Sequence, residues 1–134
     1  MKPSATRAGV RGEPLAARPV VLVIDDDPDF RTALAENLCD DGFDVLHFDS
    51  PEEIPPLEEL GPIDCVITDY QMPRQNGLSF ADRFHATHPG VPIVMVTAWC
   101  HGNLVDEVKR RSFLRLVHKP VAYPDLLAYL PHGH

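Results

Sequence analysis

VVLVIDDDP, residues Val20 to Pro28, sets five apolar residues directly against three consecutive carboxylates and a proline. A run this short, rich in β-branched side chains and without polar alternation, has the composition of a strand covered on both faces. Asp27-Pro28 then sets a capping carboxylate before a proline at the first helical position, and Phe30, Leu34 and Leu38 recur at helical spacing until Gly42. The stretch predicts a buried strand, a short acidic loop and a helix, with the carboxylates at the carboxyl end of the strand.

The same order repeats along the chain. Phe43 to Phe48 reads as a second strand, and Ser50-Pro51-Glu52-Glu53 opens a helix that Pro55 and Pro56 interrupt after about one turn, because each removes a backbone donor and clashes with the preceding turn. Ile63 to Thr68 is a third strand running into Asp69, followed by an irregular loop from Tyr70 to Gly77 and a helical face of Leu78, Ala81 and Phe84. Pro89-Gly90 turns the chain into a fourth strand, Val91 to Val96, which runs into Thr97. A helix over Leu104 to Arg111 precedes a fifth strand, Leu114 to His118, which runs into Lys119. Pro124-Asp125 starts a last helix with Leu126, Leu127 and Leu130 on its apolar side, ended by Pro131. The alternation βαβαβαβαβα implies an α/β fold, a doubly wound five-stranded parallel sheet with helices on both faces. In such sheets ligands sit beyond the carboxyl ends of the strands, where the polar residues fall.

A length of 134 residues fits one domain that buries about two thirds of its unfolded surface. Residues 1–19 carry Lys2, Arg7, Arg11 and Arg18 without the apolar core of a secretory signal, and are expected to form a flexible tail before a domain spanning 20–134. No apolar run approaches the ~20 residues a bilayer requires, so a cytoplasmic protein with no membrane partner is expected. A net charge of −8, with Lys109-Arg110-Arg111 the one basic cluster, argues against nucleic acid as a partner. Cys39, Cys65 and Cys100 contain no CxxC pair and are expected to be buried, inert thiols. The histidines, including His101, His118, His132 and His134, show no ligand spacing and are expected to be solvated. Phe30, Phe80 and Phe84 are expected in the core.

Asp25, Asp26 and Asp69 would meet at the strand ends, where each pair at 4 Å repels by about 1 kcal/mol in water and about 4 at an effective dielectric of 20. A hard divalent cation offsets that repulsion, and an oxygen-only ligand set points to Mg²⁺. Asp69 stands alone at its strand end and is the candidate nucleophile toward phosphorus. Asp25 and Asp26 are suited to the metal, and Lys119 and Thr97 to phosphoryl oxygens.

Through VLVIDDDP, VITDYQMPRQNG, PIVMVTA and HKP, in that order over Val20 to Leu130, the chain resembles the receiver domain of bacterial two-component response regulators. The resemblance implies a flavodoxin-like fold with strand order 2-1-3-4-5. It implies phosphorylation of Asp69 by a histidine kinase or histidine phosphotransfer protein, and Mg²⁺ held by Asp26, Asp69 and the Gln71 carbonyl, with Asp25 acting through water. It further implies that Thr97 moves toward the phosphoryl group, that Lys119 pairs with it, and that Lys119-Pro120 is cis. The expected function is a stand-alone, single-domain regulator that catalyses only its own phosphoryl transfer and dephosphorylation. Its output face would be formed by the fourth helix, fifth strand and fifth helix, on a monomer or a phosphorylation-linked dimer. A phosphorelay intermediate is the alternative within the class. A Mg-dependent, aspartate-based phosphatase is the alternative outside it, although Gln71 stands where such enzymes carry a second acid.

Each motif also has a plainer meaning. Asp25-Asp26-Asp27-Pro28 alone is a helix cap, Thr97 alone is a strand-end hydroxyl, and Asn76-Gly77 is first a turn. Their combination with Asp69 and Lys119 carries the functional reading. The chain departs from the family at Leu116, at the two prolines, Pro55 and Pro56, of the second helix, and in a short final helix that ends near Leu130. Leu116 occupies the place, three residues before the lysine, where receivers commonly carry Tyr or Phe. Trp99, two residues past Thr97, and Gln71, two past Asp69, fall where the family borders the path of hydrolytic water, so slow loss of phosphate is expected.

Overall fold

The structure, a computed structural model, describes residues 18–99 and 102–131. The chain runs β1 (Val20–Ile24), α1 (Pro28–Asp40), β2 (Asp44–Phe48), two 3-10 turns (Pro51–Glu53 and Leu57–Glu59), β3 (Cys65–Thr68), α2 (Gly77–Thr87), β4 (Ile93–Thr97), α3 (Gly102–Lys109), β5 (Leu114–His118) and α4 (Tyr123–Leu127). All neighbouring strands are parallel, in the order β2-β1-β3-β4-β5.

The uniformly apolar strands follow from burial on two sides. Successive side chains alternate across a strand. Val21 and Val23 join Ile67, Val94 and Val96 under α1 and α4. Leu22 and Ile24 join Val66, Ile93 and Met95 under α2 and α3. Phe80 and Phe84 lie fully buried in the second layer, as expected, whereas Phe30 is only partly buried beside the first. Cys65 is buried, and that burial pushes its thiol up to about 12, but Cys39 is only partly covered. Residues 1–17 of the expected 1–19 tail, together with Cys100, His101, His132 and His134, lie outside the described residues.

The expected helix between β2 and β3 is replaced by the two 3-10 turns. Pro55 drives Ile54 into extended backbone at ψ 135°, and Pro55-Pro56 offers no amide to continue a helical ladder. Leu57 still buries itself against the α2 face of the sheet. The last helix is also shorter than expected. Beyond Leu127 the chain closes by Tyr129 N–H to Leu126 and Leu130 N–H to Leu127 bonds, the tighter turn, because Pro131 disfavours helical backbone before it. Three strands begin later than the sequence indicates. Phe43 N–H is drawn to Leu38 O at the end of α1, and Pro62 and Pro92 bring no donor to the ladder. The fourth expected helix, Leu104 to Arg111, is α3 displaced by two residues, with Arg110 and Arg111 forming the turn that leaves it.

One glycine fixes the loop after β3. A methyl group on Gly77 would collide with the Asp69 carbonyl and lie 3.0 Å from Tyr70 Cα, while Gly77 N–H donates to Tyr70 O at 2.7 Å. Gly77→Ala is therefore expected to cost about 1–3 kcal/mol by overpacking against backbone. Urea denaturation checks this, and an unchanged midpoint would contradict the packing.

Candidate functional site

The register of the sheet assembles the site. Ile24 of β1 lies opposite Thr68 of β3, so the next residues, Asp25 and Asp69, leave the sheet side by side. Asp69 N–H donates to Ile24 O at 3.0 Å and Asp25 N–H to Phe48 O at 3.2 Å, which holds both main chains in line with their strands. On the other side Thr97 pairs with His118, and Lys119 N–H donates to Thr97 O at 2.8 Å. The Lys119–Pro120 peptide is cis.

Local hydrogen bonds then fix the acidic loop. Asp25 Oδ1 accepts from Asp27 N–H at 2.9 Å, and Asp27 Oδ1 accepts from Asp29 and Phe30 N–H at 3.1 and 3.3 Å, capping α1. Arg31 Nη1 donates to the Asp25 carbonyl at 2.7 Å, and its Nε approaches His47 Nδ1 at 3.3 Å on the edge strand β2. On the β3 side, Thr68 Oγ1 donates to Asp69 O at 3.0 Å and Tyr70 N–H to Asp69 Oδ1 at 2.6 Å.

One oxygen each of Asp25, Asp26 and Asp69 lies within 4.8 Å of the others. Asp25 is buried, Asp69 half-buried and Asp26 exposed. Lys119 Nζ donates to Asp25 Oδ2 at 2.9 Å and stands 3.6 Å from Asp69 Oδ2. Burial pushes the Asp25 carboxyl up, with the charge of Asp69 adding to it, against the opposing Asp27 N–H and Lys119. Burial alone would lower Lys119, but its bond to Asp25 and the charges of Asp25 and Asp69 raise it on balance, so the ammonium is kept. A single lysine serves two of the three carboxylates and leaves Asp26 facing solvent. That donor set, oxygen only and open on one side, fits a hard cation that retains water.

The remaining predicted residues border this group. Thr97 is buried at the end of β4, and its Oγ1 accepts from Trp99 N–H at 3.1 Å. Gln71 is exposed and, with Asp26, Tyr70, Met72, Pro73, Asn76 and Trp99, lines an open hollow of about 470 Å³. Trp99, 47% exposed, stacks on Tyr70 with ring centroids 5.9 Å apart at 26°. Sequence reasoning missed two contributors. Phe30 was assigned to the core, yet its ring lies 4.3 Å from Lys119 Nζ. Tyr70 gave no signal of its own beyond its place next to Asp69. Leu116 is half-buried on β5 and borders a groove of about 520 Å³ with Val105, Lys109, Arg115 and Tyr129.

The sequence pattern of the response regulator receiver domain matches residues 21–131. A response regulator receiver protein of Anaeromyxobacter sp. is 30% identical over 79% of this chain and 44% of its own length. The chain spans about half or less of the length of the curated relatives it matches, from 7% to 52% among the first three. Vibrio cholerae chemotaxis protein CheY4 superposes with a TM-score of 0.74 at 26% identity, over 84% of this chain and 96% of that one. A Burkholderia pseudomallei response regulator, solved with a phosphorylated aspartic acid, a calcium ion and citrate, gives 0.73 at 25% identity over 84% and 66%.

The ion pair sets a pH dependence. Because the folded pKa of Asp25 is raised, its contribution favours folding below the ordinary carboxylate range and is lost as pH rises through the raised value. Removing the ammonium enlarges that loss. Lys119→Met is expected to destabilise the fold by about 3–5 kcal/mol at neutral pH, since it strands a buried carboxylate. The deficit should shrink as pH falls and Asp25 takes up a proton. Chemical denaturation of parent and variant at several pH values checks this, and a deficit independent of pH would refute the assignment.

Proposed function

The chain belongs to the response regulator receiver domain family, and on that premise we propose that Asp69 accepts a phosphoryl group from a phosphohistidine of a histidine kinase or histidine phosphotransfer protein. The observation that carries the proposal is the Lys119 ammonium set between Asp25 and Asp69 at the strand ends. The Tyr70 amide holds one Asp69 oxygen at 2.6 Å and the ammonium stands 3.6 Å from the other, an arrangement suited to a donor that approaches from the open side.

In the proposed step an oxygen of the Asp69 carboxylate attacks phosphorus, the P–N bond of the donor breaks, and the leaving imidazole nitrogen takes the electron pair and a proton from water. An acyl phosphate results. Lys119 is placed to turn from Asp25 to the new phosphoryl oxygens, and the Thr97 hydroxyl to reach them from β4. Asp26, Asp69 and the Gln71 carbonyl would hold Mg²⁺, with Asp25 acting through water. The ion, when bound, would neutralise charge on the transferring oxygens.

The signal is then read as a protein interaction. The groove between α3, β5 and the turn that follows α4 supplies the face for a partner, whose differential contacts shift a two-state equilibrium. Leu116 offers no ring to swing inward with Thr97, so aliphatic repacking would have to carry the change. The role is that of a signalling module acting on its own aspartate rather than turning over an external substrate. No helix among the described residues is long and apolar enough to cross a membrane, and we place the module in the cytoplasm.

Two outcomes test the proposal. Asp69→Asn should abolish labelling by a small phosphodonor with Mg²⁺, and chelation should stop labelling of the parent; persistent labelling of the variant would remove Asp69 from its role. Trp99→Ala should shorten the lifetime of the phosphoryl group severalfold, because the indole stacked on Tyr70 covers part of the hollow beside Asp26. Equal decay rates would remove Trp99 as a barrier to water.

A further inference from the structure

The Lys119 ammonium has a third neighbour besides the two carboxylates. Its Nζ sits 4.3 Å from the centroid of the Phe30 ring, inside the ~6 Å range of a cation–π contact, while it is 2.9 Å from Asp25 Oδ2 and 3.6 Å from Asp69 Oδ2. The lysine side chain is 17% exposed, so little water competes for the charge. Phe30 itself is only partly buried, at the edge of the layer under α1 and α4.

The acidic loop determines where that ring lies. Asp25 accepts from Asp27 N–H, and Asp27 in turn accepts from Phe30 N–H, so two successive side-chain bonds tie the Phe30 backbone to the carboxylate that binds Lys119. The ring and Asp25 thus reach the ammonium from one braced segment, residues 25 to 30, whereas Asp69 reaches it from another strand.

We propose that Phe30 is a positioning residue for Lys119: its ring face holds the ammonium within reach of Asp69 and limits its travel away from the acceptor. The role rests on the assignment of Asp69 as phosphoryl acceptor. Asp25 draws the ammonium at hydrogen-bond distance and Asp69 draws it more weakly. A hydrocarbon in place of the ring would leave the ammonium without an electrostatic partner on that side. The long lysine stem would then sample positions that do not meet an incoming phosphoryl oxygen. The ring also borders a cavity of about 240 Å³ with Ala33, Asn37 and Tyr123, so open space adjoins the Phe30 side chain. Phe30→Tyr should therefore keep the ring in place.

The test compares Phe30→Leu and Phe30→Tyr in the full chain, by the rate of Asp69 phosphorylation from phosphoramidate with Mg²⁺. It also follows the NMR shift of the Lys119 ε-methylene protons without donor. Phe30→Leu should slow phosphorylation about fivefold, and the ε-methylene resonance, displaced upfield by the ring in the parent, should return to the ordinary lysine position. Phe30→Tyr should stay within about twofold of the parent and keep the upfield shift. Leucine matching the parent rate would overturn the role, as would leucine and tyrosine slowing it equally, which marks a packing effect. A parent that takes no phosphoryl group would refute the acceptor assignment and, with it, the role. In that case the ε-methylene shift still decides whether the ring meets the ammonium, so the two failures are distinguishable.

Discussion

Among the described residues, the Lys119 ammonium is the cation that meets the carboxylates of the buried Asp25 and its neighbour Asp69, and the rest of the site depends on it. Carboxylate oxygens within 4.8 Å of one another repel by a few kcal/mol, about 3 to 4 at an effective dielectric of 20, and burial of Asp25 adds to that cost. The ammonium offsets the repulsion, and its hydrogen bond and charge oppose the upward push of burial on the Asp25 carboxyl. It does so from the end of a third strand, so the charge balance exists only when β5 has joined the sheet beyond β4. Folding and site assembly are therefore one event, governed by parallel register: Ile24 opposite Thr68, and Thr97 opposite His118.

The balance is incomplete by construction. Asp26 remains exposed beside the other two, and the hollow next to it is lined by Gln71 and by the Tyr70–Trp99 stack. An open, carboxylate-rich mouth over a neutralised interior is the arrangement expected of a site that takes up a cation and an anionic group together. The β3–α2 loop supports it from below, because only a glycine at position 77 lets the helix start against the Asp69 carbonyl.

Much of this was legible in the sequence, for stated reasons. The inner strands β1, β3 and β4, buried on two faces, need near-unbroken apolar runs, and the helical patterns between the runs imply parallel strands, so the convergence of Asp25, Asp69 and Lys119 at one edge was legible in the sequence. Strand order needed more, since periodicity does not specify neighbours; it came from the motif resemblance. The second helix was harder, because Ser50-Pro51-Glu52-Glu53 is a sound start and only Pro55-Pro56 reveals that the segment must proceed as separate turns. Phe30 packs at the edge of the core, but a Phe, Leu, Leu spacing records which face of a helix is apolar and not that its first member also reaches past the helix end to a charge. The Tyr70–Trp99 stack joins residues from different loops and leaves no local pattern at all.

The central claim is that the strand-end cluster accepts a phosphoryl group on Asp69. The most direct measurement is peptide mapping by mass spectrometry after incubation with phosphoramidate and Mg²⁺ and trapping of the acyl phosphate by borohydride reduction. The account predicts one modified residue, Asp69, and no product when Mg²⁺ is withheld. Modification at Asp25, at Asp26 or at a histidine, or the absence of any adduct with Mg²⁺ present, would contradict it.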